Sequence, residues 1–171
     1  MKPMLLLIDI TKRFSRGVEF RVLVIEMSDE THEYMVTVDW KHGRVGTLSV
    51  AGKPSVEVAS PPEFEGPEGI ISPEDLFVAA ATSCFMTTFV TFNKKMHIEF
   101  KSFSCEGHGT LERVEKGFQF TKLLLKTKVG VASEDLIPKT ERALELAGKY
   151  CLVSNSMKCP TEHENQVFIE K

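Results

Sequence analysis

The chain is poor in the features that mark nucleic-acid binders. It has one tryptophan and two tyrosines in 171 residues, no long basic run, and a net charge of −3. Without a basic face or exposed stacking aromatics, both the electrostatic and the stacking contributions to nucleic-acid binding are missing. Its four cysteines, Cys84, Cys105, Cys151 and Cys159, lack the tight double spacing of a zinc ribbon. Repeats and low-complexity tracts are absent. The longest uncharged run, Leu76–Phe92, has seventeen residues and includes Thr82, Ser83, Thr87, Thr88 and Thr91. That is slightly short and rather polar for a membrane span, and better suited to a helix buried in a protein or at a subunit interface. "MKPMLLLIDI" is apolar, but Asp9 interrupts it and no small-residue cleavage site follows, so a signal peptide is not expected. The expected compartment is the cytoplasm, where thiols stay reduced unless they cycle for a purpose.

What is present fits a soluble globule, with 42% hydrophobic and 26% charged residues. The length suits one domain, or one domain with a short appendage. "VEFRVLVIE" (18–26) alternates as a strand does, and the polar "MSDETHE" after it reads as a loop. "YMVTVDW" and "VGTLSVAG" flank "KHGR" as a hairpin with Gly43 in the turn, and "KPSVEVAS" supplies a third strand. "PPEFEGPEGIIS" is loop by its proline and glycine content. Ser72 then caps a helix, Pro73 suits its first position, and Glu74 and Asp75 complement its positive end. This helix is expected to reach about Lys95. "HIEFKSFSCEGHGTLERV" and "GFQFTKLLLKTKVGV" form a long hairpin about "EKG". A second helix begins at Ser133 or Pro138 and places Leu144, Ala147, Gly148 and Cys151 on one face. "CLVSNSM" continues it or forms a short helix, and "NQVFIE" closes as a strand. Strands, helix, hairpin, helix and strand make an α+β domain.

Free cysteine is commonly a small buried hydrophobe, the ordinary reading of Cys105. Cys159 with His163, and Cys105 with His108, are loose pairs that fall short of the three or four ligands of a metal site. Cys84 and Cys151 lie on helix faces in a recognisable setting. "SPEDLFVAAATSCF", followed far downstream by "YCLVSNSM", resembles the OsmC/Ohr family of peroxide-reducing proteins. That family has a Pro-Glu-x-Leu helix start, a cysteine ten residues after the Glu, and a second cysteine in a Cys-Pro-x-Ser setting. "GRVGTLSV" resembles its arginine loop and "PPEFEGPEG" its pre-helix loop. The resemblance spans roughly Tyr34–Lys171. Residues 1–33 lie outside it, as an extension that adds a strand or as chain partly upstream of a start at Met27. Leu152 stands where the family often has proline.

The resemblance implies an intertwined homodimer, with two long central helices packed between curved antiparallel sheets. It also implies thiol peroxidase chemistry without metal or organic cofactor. Cys84 would be the peroxidatic cysteine, Cys151 the resolving one, and Arg44 and Glu74 their polar partners. The substrate would be an organic hydroperoxide, and the reductant a dithiol of lipoyl or thioredoxin type. Neither nucleic acid nor membrane is an expected partner. The alternatives are a protein of the same fold that binds a small molecule or senses thiol redox state, and a metal site built from Cys151, Cys159 and His163.

The residue types suit the peroxidase reading. Attack on a peroxide needs thiolate, and a free cysteine is only a few per cent ionised near neutral pH. Cys84 lies about 16 Å into its helix, beyond reach of the dipole, so a delivered cation is expected and Arg44 is the candidate. Glu74 would hold Arg44 through a bidentate pair. Glu74 and Cys84 are about 15 Å and about 80° apart on one straight helix. Two antiparallel helices in a dimer would bring one subunit's Glu74 beside the other's Cys84.

Overall fold

Ser72 starts the longest helix through a complete capping box. Its hydroxyl accepts from the Asp75 N–H at 3.0 Å, and its own N–H donates to Asp75 Oδ2 at 2.9 Å. Helix α1 runs Pro73–Lys95, the span expected from the sequence, with Glu74 and Asp75 at its start and Lys94 and Lys95 at its end. These charges complement the helix dipole at both ends. The computed structural model describes residues 31–171; the 18–26 strand and most of the 1–33 extension lie outside the described residues.

From Thr37 to Lys171 the chain is one compact unit. Strands β1 (Thr37–His42), β2 (Val45–Ser49) and β3 (Val56–Ala59) form an antiparallel sheet in that order. Gly43, at φ 51°, lets the first hairpin turn where a side chain would be strained. The Pro- and Gly-rich loop follows, and a parallel bridge from Val58 to Ile71 ties its end back to β3. After α1 come β4 (Phe100–Val114), β5 (Gly117–Val131), α2 (Ile137–Tyr150), a short α3 (Leu152–Ser156) and β6 (Thr161–Ile169). The second sheet has the order β4-β5-β6. β4 and β5 are the expected long hairpin, whereas β6 runs parallel to β5, from Leu123 opposite Thr161 to Val131 opposite Ile169. Parallel pairing requires a crossover, and α2 with α3 supplies it.

Inward side chains of β5 recur at every second residue: Leu123, Leu125, Thr127, Val129 and Val131 are all buried. Against them pack Phe85 and Phe89 of α1 and Ala143, Leu144 and Ala147 of α2. α1 passes so close to β4 that a Cβ on Gly107 would collide with Val78 and Thr82. By length and composition α1 could cross a membrane, yet Ala81, Phe85 and Phe89 on one face are fully buried in this core.

Two features differ from the sequence reading. The second helix is preceded by a 3-10 turn, Glu134–Leu136, and it stops before Cys151. Cys151 itself is extended (φ −65°, ψ 110°) rather than on the helix face, and α3 after it is the short helix that was one of the two readings of this segment.

Since the capping box satisfies donors at the buried entry to α1, Ser72→Ala should cost about 1 kcal/mol. Urea unfolding would read this as a lower midpoint at unchanged slope. An unchanged midpoint would mean that packing alone fixes the helix start.

Candidate functional site

Cys84 and Cys151 come from elements far apart in sequence and meet under the core. Phe85 and Phe89 hold α1 against the sheet, which turns the partly exposed Cys84 toward α3. Ala143, Leu144 and Ala147 seat α2, which delivers the fully buried Cys151 at its end. The two thiols are free and pack in one core cluster.

Their environments push them in opposite directions. Burial acts to raise the Cys84 pKa, but the Val153 N–H, the Cys151 S–H, the Thr88 hydroxyl and the Leu152 N–H together outweigh it, and the thiol lies below the ordinary cysteine range. The Thr88 hydroxyl sits 4.0 Å from the sulfur and is committed at 2.8 Å to the Cys84 carbonyl. The Val153 amide is the first of the groups that oppose burial. For Cys151 burial comes first and raises the pKa; the Ser154 hydroxyl and amide oppose it, and proximity to Cys84 raises it further. Ser154 Oγ donates to Cys151 Sγ at 3.2 Å. The pair therefore favours a thiolate at Cys84 and a neutral thiol at Cys151.

Arg44 and Glu74 are placed elsewhere in the single chain. Arg44 donates to Glu65 at 2.8 Å, and both side chains are exposed. It borders a shallow apolar recess with Val38, Trp40, Val45 and Pro73. Glu74 lines a different cavity of about 470 Å³ with Glu63, Asp75, Val78, Thr82 and Phe120. Its buried Oε2 has no hydrogen-bond partner among the described residues. The Arg44–Glu74 pair expected from the sequence is thus not formed within one chain, and the carboxylate that Arg44 meets there is Glu65. Nor is a cation among the groups that lower the Cys84 pKa. Backbone amides do that work, and sequence reasoning missed them because main-chain donors carry no residue signature. Ser154 was more accessible, three residues after Cys151 in "CLVS".

The other two cysteines are packed into the core. Burial raises the Cys105 pKa, against a hydrogen bond from Thr127 Oγ1 at 3.3 Å. Cys159 is buried with Ala81 and Leu123. His163 stacks on Phe85 with ring centroids 4.8 Å apart, and burial lowers its pKa. Among the described residues, no group of three His, Cys, Asp or Glu side chains is placed to hold a metal ion.

The thiol asymmetry has a direct readout. In the reduced protein, Cys84 should react with iodoacetamide before Cys105 or Cys151 at pH 7, with a pH midpoint below the ordinary value of about 8.5. Its rate should hold above that midpoint and fall as acid protonates the thiolate. Peptide-resolved alkylation showing Cys151 or Cys105 as the faster thiol would contradict the assignment.

Comparison with known proteins fits this architecture. Residues 66–165 match the family model described as OsmC-like protein. Uncharacterized protein YmaD of Bacillus subtilis (strain 168) is 21% identical over 144 residues, covering 81% of this chain and 95% of that protein. The solved structure of an OsmC-like protein of unknown function, VCA0330 from Vibrio cholerae, superposes with a TM-score of 0.70 at 24% identity, over 81% of this chain and 100% of that one. An organic hydroperoxide resistance protein from Elizabethkingia anophelis gives 0.66 at 20% identity, over 84% and 100%. OhrB of Bacillus subtilis, also an organic hydroperoxide resistance protein, gives 0.55 at 21%, over 80% and 98%. With the α+β fold shared and more than half of its length matched, the chain belongs to the OsmC-like protein family.

Proposed function

We propose that this protein is a thiol-dependent peroxidase that reduces organic hydroperoxides, with Cys84 as the attacking thiolate and Cys151 as the resolving thiol. The observation that carries the reading is the contact between two free thiols, one favoured as thiolate and the other as neutral S–H. The names of two structural relatives, organic hydroperoxide resistance proteins, point the same way.

In the first step the Cys84 thiolate attacks the terminal peroxide oxygen. The O–O bond breaks, the alkoxide takes a proton to leave as alcohol, and Cys84 becomes a sulfenic acid. In the second, the Cys151 sulfur attacks the Cys84 sulfur. The S–OH bond breaks, hydroxide leaves with the Cys151 proton as water, and a Cys84–Cys151 disulfide forms. An external dithiol, of lipoyl or thioredoxin type, then returns two electrons by thiol–disulfide exchange. Because both cysteines pack in one core cluster, the rearrangement that disulfide formation needs is local. Phe85 and the exposed Met86 beside Cys84 favour an organic peroxide over a hydrated one.

The active unit in this proposal is a homodimer. From Ala79 to Thr91 every exposed residue of α1 is uncharged, and Met86 and Val90 are 40% and 43% exposed. A second copy of the helix is a suitable cover for such a face. Glu74, whose buried Oε2 is unpaired in its own chain, and Arg44, with only an exposed partner, would serve the site across that interface.

Treating the reduced protein with one equivalent of cumene hydroperoxide, blocking free thiols and digesting without reduction should link the α1 peptide to "YCLVSNSM". Cys151→Ser should leave a trappable sulfenic acid on Cys84. A Cys151–Cys159 link with Cys84 still alkylatable would refute the mechanism.

The composite site has its own test. Glu74→Gln and Cys84→Ser chains, each inactive alone, should regain activity when mixed, since one of the two sites in a heterodimer is then intact. Heterodimers that form and stay inactive would exclude the trans arrangement.

A further inference from the structure

Cys84, Cys105 and Cys151 each have a hydroxyl beside the sulfur, and the three hydroxyls are used differently. Thr127 Oγ1 donates to Cys105 Sγ at 3.3 Å, and Ser154 Oγ donates to Cys151 Sγ at 3.2 Å. Thr88 Oγ1, one helical turn after Cys84, lies 4.0 Å from its sulfur but gives its proton to the Cys84 carbonyl at 2.8 Å. That carbonyl is oversubscribed. Thr87 Oγ1 also donates to it, at 3.0 Å. Within α1 it is in addition the acceptor of the Thr88 main-chain N–H. A carbonyl oxygen has two lone pairs, so one of three donors is surplus. The Thr88 hydroxyl is the one beside the sulfur, and it can leave the carbonyl without orphaning it.

We propose that Thr88 is the positioning residue of Cys84, with a hydroxyl that serves two acceptors in turn: the Cys84 carbonyl while the sulfur is protonated, and the Cys84 sulfur once it is a thiolate. The proposal concerns ionisation of the thiol; only its consequence for turnover rests on the peroxidase reading above.

The two states differ by a small motion. With its proton on the carbonyl, Thr88 Oγ1 presents a lone pair to the sulfur, and the S–H of the neutral thiol is the weak donor of the pair. Loss of the thiol proton to solvent turns the sulfur into a charged acceptor. A hydrogen bond to a charged acceptor is about twice as strong as a neutral one. Rotation about Cβ–Oγ then redirects the hydroxyl proton, and a side-chain adjustment shortens the 4.0 Å separation toward the 3.2 and 3.3 Å of the other two pairs. Threonine suits this role, because in a helix its χ1 divides between two rotamers. In turnover the sulfenic acid is neutral again, and the proton returns to the carbonyl. The titratable groups around Cys84 are Cys151 and Cys105 of the same cluster and His163, which stacks on the adjacent Phe85. No charged side chain is among the groups that act on its sulfur.

The test reads the pH midpoint of Cys84 alkylation, peptide by peptide, in the full-length protein. Thr88→Ser keeps the hydroxyl and should keep the wild-type midpoint. Thr87→Val loses only the other hydroxyl on the carbonyl and should also titrate with the wild type. Thr88→Val has the same shape without the hydroxyl, and its midpoint should rise by about half a unit to one unit, a loss of thiolate of roughly three- to tenfold below the midpoint. Thr88→Ala gives the same comparison if valine disturbs the helix. Consumption of cumene hydroperoxide should slow by the same factor below the midpoint and recover above it. If Thr88→Val and Thr88→Ala titrate with the wild type, or Thr87→Val shifts as far as they do, the proposal is overturned. If Thr88→Val shifts but the wild type consumes no peroxide, the Thr88 assignment stands and the peroxidase reading falls.

Discussion

At Cys151 the chain leaves helical conformation for a single residue, at φ −65° and ψ 110°, and the chemistry of the site depends on that break. Had α2 continued unbroken, the amides after Cys151 would have been used up in i→i−4 bonds. The extended residue ends one ladder and starts another, which frees two N–H groups beside the thiol of their own neighbour. Ala143, Leu144 and Ala147 anchor the approach to the break in the core. Ser154 holds the Cys151 sulfur from the far side. Cys84 then packs, in one cluster, with Cys151 and with Val153 of the same segment.

This arrangement changes the balance of forces at Cys84. A sulfur among Phe85, Phe89 and Val153 is desolvated, which opposes charge. The groups that oppose burial hold the Cys84 thiol below the ordinary cysteine range, and no cation is among them. Arg44 is not thereby made redundant. In the proposed peroxidase a delivered guanidinium would meet the peroxide and the departing oxygen, where charge would develop. Ground-state ionisation and transition-state stabilisation would then fall to different groups.

Much of the fold was legible because its signals are local. The capping box at Ser72, the Gly43 turn and the alternation along β5 each follow from residues within a few positions of one another. The parallel alignment of β6 was not legible, for nothing within "TEHENQVFI" states which edge it joins or in which direction. The thiol pair was legible as a motif, with Cys84 on its expected helix and Cys151 one residue past the end of the helix expected to carry it. Arg44 meeting Glu65 was not, since the partner lies in a loop whose path is set by prolines and glycines rather than by periodicity.

The uncharged face of α1 connects these points. A helix that leaves Ala79, Ala80, Ser83, Met86 and Val90 exposed between charged ends is poorly suited to water. Small residues allow close approach of a second helix, while Asp75 and Lys94 mark where solvent begins again. Cys84 lies on the edge of that face rather than at its centre, next to the buried Phe85 on one side and the exposed Ser83 on the other. A partner helix on this face would narrow the approach to the sulfur without covering it. It would also supply a donor to Glu74, whose unpaired Oε2 is otherwise a buried cost of about 1–3 kcal/mol or more. The same association that hides the apolar stripe would thus satisfy the carboxylate and enclose the thiolate, which is why fold, assembly and chemistry converge on one helix.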